Sequence, residues 1–82
     1  MLVIKRHDEQ TTFNTNKIFN AIKKAFEATD TPFDDSIINL LVLQVTSSFS
    51  KKVVDNKIHV EDIQDAVEHV LEISFVIVRK KL

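Results

Sequence analysis

The chain has 82 residues, with hydrophobic residues at 44% and charged residues at 28%, so it fits one small globular domain, spanning residues 1–82 or belonging to a larger protein. It contains no glycine, no cysteine and one proline. This excludes a disulfide framework, a zinc ribbon, a Walker loop, a dinucleotide-binding fingerprint and a nucleophile elbow. Eleven basic residues against twelve acidic ones give a formal charge of −1, which supplies no global field for duplex nucleic acid or an anionic membrane.

Leu2-Val3-Ile4-Lys5-Arg6 is rich in branched apolar residues and is predicted as a strand, with Gln10-Thr11-Thr12-Phe13 returning against it as a hairpin. In the connection His7-Asp8-Glu9, Asp8 is the residue best suited to a left-handed backbone. Asn14 is placed to cap a helix over Thr15 to Ala28, whose Ile18, Ala21, Ile22, Ala25 and Phe26 follow the spacing of one buried face. Thr31-Pro32-Phe33-Asp34 offers a second helix start, with Thr31 as cap and Pro32 at the first helical position, or with Asp34 or Asp35 capping a later start. In that helix Ile38, Val42, Val45, Phe49 and Val53 form a stripe. Ile37, Leu40, Leu41 and Leu43 widen it so far that the helix is expected to be central or to meet another chain.

Asp55-Asn56 interrupts the pattern, Ile58-His59-Val60 is predicted as a short third strand, and a third helix follows with Ile63, Ala66, Val67, Val70 and Leu71 inward. The run Phe75-Val76-Ile77-Val78 suits either a strand or a buried last helical turn, and its state stays open. The expected fold is therefore α+β, a small hairpin plus a short third strand covering three to four helices. No apolar stretch approaches a ~20-residue membrane span. The opening Met1-Leu2-Val3-Ile4 is too short for a secretory signal, and Lys5 and Arg6 follow it, so a cytoplasmic location is expected.

The chemistry-bearing residues are few. Lys5 and Arg6 close the first strand and Lys17 falls in the first turn of the first helix, where a cation opposes the helix dipole by about 0.3 to 1 kcal/mol. An anion bound there reverses that sign, since helix-start amides, the Asn14 side chain and two or three cations can hold a phosphate without a glycine loop. The bland alternative is solubility and protection of a strand edge. His7, His59 and His69 are too scattered for a metal set, and Glu61, Asp65, Glu68 and Glu72 are expected to be a solvated face rather than a cation site. The serines sit in no nucleophile turn, and a catalytic role has no support.

The stretch VIKRHDEQTTFNTNKIFNAIKKAFEA resembles the opening of the ATP-cone, the allosteric nucleotide-binding domain of many ribonucleotide reductases and of the bacterial repressor of their genes. The family pattern is a strand ending in Lys-Arg, an Asp-Gly turn, a second strand ending in an apolar residue, an Asn or Asp cap, and Lys-Ile three residues on. Val3, Lys5, Arg6, Phe13, Asn14, Lys17 and Ile18 match it in register. KIHVEDIQDAVEHVL is similar to the family's third strand and following helix, and FVIVRKKL to the basic close of its last helix.

The resemblance implies a regulatory module rather than an enzyme, with ATP or dATP as effector, with or without magnesium, between sheet and helices. It implies nucleotide contacts from Val3, Lys5, Arg6, Asn14, Lys17, Ile18, Val60, Gln64, Arg79 and Lys80. It also implies a second copy or a parent catalytic domain as partner. Two departures stand out. His7-Asp8 replaces Asp-Gly. Between Ser74 and Phe75 the family's Gly-aromatic turn and the first half of its final helix are missing, so that helix is expected to be short or absent, with Phe75 to Val78 free to pack on a second copy. The alternative function is then a degenerate cone retained for oligomerisation or docking. Nucleic-acid binding through Lys5, Arg6, Lys17, Lys23 and Lys24 is disfavoured by the near-neutral charge.

Overall fold

A computed structural model describes the backbone of residues 1–81 and the side chains of residues 1–75. Strand β1 (Leu2–Ile4) lies at the centre of a three-stranded sheet of order β2-β1-β3. β2 (Gln10–Thr12) pairs with it antiparallel, Val3 opposite Thr11, and β3 (Lys57–His59) pairs with it parallel, Val3 opposite Ile58. Helices α1 (Thr15–Ala28), α2 (Asp35–Phe49) and α3 (Val60–Lys81) make the other layer, giving the expected α+β architecture. Val3 and Ile58 are the strand residues that enter the core, where they join Ile18, Ile22 and Phe26 of α1, Ile38, Val45 and Phe49 of α2, and Ala66 and Val70 of α3.

β1 stops at Ile4, two residues before the sequence pattern suggests, because Arg6–Asp8 form a single 3-10 turn that closes the hairpin. Lys5 N–H donates to the Glu9 carbonyl at 2.7 Å and Asp8 N–H to the Lys5 carbonyl at 3.2 Å, so Lys5 and Arg6 belong to the connection and not to the strand. Both His7 (φ 67°) and Asp8 (φ 64°) take the left-handed backbone. The turn thus reaches without glycine the conformation that glycine adopts most easily. β2 likewise ends at Thr12, although Phe13 N–H still donates to the Met1 carbonyl at 2.9 Å, and Val60 opens α3 instead of ending β3.

The same substitution of Asp or Asn for glycine recurs at each sharp turn. Asp55 (φ 53°) and Asn56 (φ 61°) form the two-residue connection between Val54 and Lys57, which exchange two backbone bonds of 3.0 Å. At the end of α1, Asp30 (φ 52°) is the left-handed residue. Thr31 N–H returns to the Phe26 carbonyl at 3.0 Å and Asp30 N–H to the Glu27 carbonyl at 3.2 Å, a Schellman closure.

That closure explains why Thr31 does not cap α2. Its amide completes the α1 terminus and its hydroxyl lies 2.7 Å from that of Thr29, while Asp34 Oδ1 accepts the Ile37 amide at 3.0 Å and starts α2 at Asp35. The stripe Ile38, Val42, Val45 and Phe49 is buried, together with Leu41, whereas Ile37, Leu40 and Leu43 are 42%, 60% and 66% exposed, and Val53, expected to continue the stripe, lies beyond the end of α2 in extended backbone and is half-buried. On α1, Ala21 is exposed rather than inward, while Ile18, Ile22 and Phe26 are buried and Phe19 packs partly against the core. α3 runs unbroken through Ser74 and Phe75, so the open segment is helical and no separate fourth helix exists among the described residues. Ser74 Oγ donates to the Val70 carbonyl at 2.8 Å, and Phe75 packs on Phe26 with ring centroids 5.3 Å apart. Phe75 is therefore part of this chain's own core and not free for a second copy. The side chains of Val76 to Val78 lie outside the described residues.

Asp30→Gly is expected to raise stability in urea unfolding by about 0.5–1 kcal/mol, and Asp30→Val to lower it by about 1 kcal/mol or more, since any Cβ is disfavoured in a left-handed position, a cost that glycine removes and a β-branched side chain increases. Destabilisation by both would show that Asp30 contributes more than its backbone angle.

Candidate functional site

A cleft forms where β1, the start of α1 and the start of α3 come together. Val3 of β1 and Lys5, whose backbone stays extended just beyond the strand, line one cavity, and the register places Thr11 beside Val3. Below them a cavity of about 120 Å³ is lined by Val3, Lys5, Thr11, Thr12, Phe13, Asn14, Lys17, Ile18, Val60 and Ile63. It continues at Lys17, Ile18 and Ile63 into a groove of about 540 Å³ between α1 and α3, with Ala21, Gln64, Val67 and Glu68 on its walls. At Lys5 and Val60 it meets a third opening of about 430 Å³, flanked by Arg6, Glu9 and Gln64. The two larger spaces fall within the size range of small-molecule sites.

Of the residues singled out in the sequence, Val3, Lys5, Arg6, Asn14, Lys17, Ile18, Val60 and Gln64 all line this connected cleft. The side chains of Arg79 and Lys80 lie outside the described residues. Asn14 is the cap of α1: its Oδ1 accepts the Asn16 amide at 2.9 Å, leaving its side-chain NH₂ as a donor. Lys17 N–H donates to the Asn14 carbonyl at 3.2 Å, which fixes Lys17 in the first helical turn, and that turn holds no acidic residue. Lys17 therefore faces the positive end of the dipole with no local compensation.

The walls divide by chemistry. Val3, Phe13, Ile18, Val60 and Ile63 make an apolar chamber, while Lys5, Lys17, Asn14 and Arg6 stand at its margins. Such an arrangement suits a flat apolar group carrying several negative charges. Thr11, Ile63 and Val67 are lining residues that the motif alone did not mark. Two signals identify them: Thr11 lies opposite Val3 in the hairpin, and Ile63 and Val67 follow Val60 at helical intervals of three and seven. Among the described residues, no group of three or more His, Asp or Glu side chains is arranged to hold a metal ion. No helix of the described residues is long and apolar enough to cross a membrane.

Comparison with known families decides the class, because the family model of the ATP cone domain matches residues 1–81. The chain belongs to the ATP-cone family. It is thereby a regulatory module of the nucleotide-binding kind and not a catalytic domain, and ATP-cone domains bind ATP or dATP as effectors. A search of curated proteins returned no match. Within an ATP cone, the absence of glycine from the first turn is the notable local feature, and here that turn is built from left-handed His7 and Asp8.

Asn14→Ala is expected to lower stability by about 1 kcal/mol in thermal or urea unfolding, while Asn14→Asp leaves it within a few tenths of the parent, because the capping oxygen is retained. Equal losses in both would remove the capping account.

Proposed function

We propose that this ATP cone binds one adenine nucleotide, ATP or dATP, in the cleft between β1, α1 and α3, and that occupancy controls the activity or assembly of a ribonucleotide reductase or a related protein. The observation that carries the proposal is the convergence of Lys5, Asn14 and Lys17 around an apolar chamber walled by Val3, Ile18, Val60 and Ile63. The base would occupy that chamber, with Thr11 and Gln64 as polar neighbours. The phosphates would lie toward Lys5, Arg6 and Lys17, with the Asn14 amide and the first amides of α1 donating to them. Arg79 and Lys80, near the end of α3, are proposed as further phosphate contacts by family resemblance alone. A magnesium ion travelling with the triphosphate would be held by phosphate oxygens and water. The domain is proposed to act in the cytoplasm, where such nucleotides and a reducing environment suit a chain without cysteine.

Allosteric control requires that the nucleotide bind one assembly state more tightly than another. α1 and α3 supply opposite walls of the groove, so a ligand bridging them biases their separation, and α2 packs against both. Calorimetric titration with ATP, dATP and GTP is expected to show binding of the adenine nucleotides. Melting temperature should rise with ligand, corresponding to about 2.7 kcal/mol at a hundredfold excess over Kd. Lys17→Ala is expected to weaken binding at least tenfold with little change in the melting temperature of the free protein. Unchanged affinity in that variant would refute the placement of the phosphates.

A second reading, docking of a second copy, is favoured by a specific surface. Ile37, Leu40 and Leu43 are exposed on α2, which carries no charged residue from Ser36 to Ser50. A charge-free apolar face offers no repulsion to its own copy. If this face pairs, Leu40→Glu is expected to shift the chain from dimer to monomer in sedimentation at micromolar concentration. A parent that is already monomeric there would contradict it.

A further inference from the structure

Arg6, a cation at the margin of the cleft, already has an anion beside it. Its Nε lies 3.5 Å from the Glu61 carboxylate, with the Arg6 side chain 76% and the Glu61 side chain 51% exposed. The pair ties the turn after β1 to the first turn of α3. Among the described residues, Lys5 and Lys17 make no such pair, so Arg6 is distinguished within the cation set. Glu61 also sits where a helix start favours negative charge, and its carboxylate thus takes both attractions that an incoming phosphate would use, the helix end and the guanidinium. The opening beside the pair, flanked by Lys5, Arg6, Glu9 and Gln64, gives onto the nucleotide cleft.

We propose that Glu61 is an internal competitor for the anion: in the empty protein its carboxylate holds Arg6 at the cleft mouth, and this contact must be released before Arg6 engages a polyphosphate. The inference rests on the nucleotide reading above and adds to it a residue that sets affinity by restraining a cation without touching the ligand. An exposed ion pair of this kind is weak, so the latch opens readily, and its effect is a modest loss of affinity rather than a block. A multiply charged phosphate displaces the single carboxylate more effectively than a weakly charged ligand does.

The test is a double-mutant cycle by calorimetry at low ionic strength, on the parent, Glu61→Gln, Arg6→Gln and the combined variant, with ATP and with sodium tripolyphosphate as separate probes. Glu61→Gln is expected to tighten both ligands about two- to fivefold, an effect that disappears in the Arg6→Gln background and shrinks at higher salt. A gain that survives without Arg6 would reflect general charge repulsion and would overturn the latch. Unchanged or weaker binding by Glu61→Gln would overturn it too, the latter by showing that Glu61 presents Arg6 to the ligand. If the cycle appears with tripolyphosphate while ATP binds no better than tripolyphosphate, the latch stands and the adenine reading fails. Absence of binding by every variant to both probes overturns both.

Discussion

The arrangement depends on β1 being paired on both edges. Because β2 is antiparallel to it, the chain leaves β2 at the Met1 end of the sheet and enters α1 there, with Asn14 as the hinge. Because β3 is parallel, the chain leaves β3 at the Lys5 end and enters α3 at Val60. The two helix starts therefore approach the underside of β1 from opposite ends, and Val3, locked between Thr11 and Ile58, is the strand residue they share. Three residues of strand span only about 10 Å. That short span brings the cations of the first turn, the Asn14 cap and the apolar start of α3 around one chamber.

That the proposed phosphate site would need no glycine loop follows from the same layout. A glycine loop works by letting backbone amides crowd around an anion. In the proposed site the amides would come from a helix start, with side chains of Lys5, Arg6, Lys17 and Asn14 supplying the rest, so no glycine loop would be needed. The sharp turns use His7, Asp8, Asp30, Asp55 and Asn56 in left-handed conformations. Histidine, aspartate and asparagine are among the non-glycine residues best suited to that region. The fold therefore tolerates the lack of glycine at a local conformational cost, repeated at three separate turns.

Much of this was legible in the sequence. The bounds of α1, its Asn14 cap, the buried stripe of α2 and the grouping of Val3, Lys5, Arg6, Asn14, Lys17, Ile18, Val60 and Gln64 all follow from periodicity, capping chemistry or the family pattern. The misplaced details have physical causes. β-propensity carries Lys5 and Arg6 into a strand, but a five-residue connection with two left-handed positions removes them from it. Thr31 resembles a cap in isolation, yet its amide is taken by the closure of α1, a contact that only the folded chain reveals. Phe75 has strand-like neighbours and lacks the expected turn before it, but the ring of Phe26 gives it a place in the core, and α3 continues through it. The Arg6–Glu61 pair joins residues far apart in sequence, and no local pattern announces it.

The central claim is that adenine nucleotide enters between β1 and the starts of α1 and α3. Amide chemical-shift mapping during titration of the isotopically labelled chain with ATP tests it most directly. The account predicts the largest shifts at Val3 to Arg6, Thr11 to Ile18 and Val60 to Gln64, with the amides of α2 from Leu40 to Ser47 nearly unmoved. Shifts concentrated on α2, or around the separate hollow at Ser48, Lys52 and His69, would contradict it.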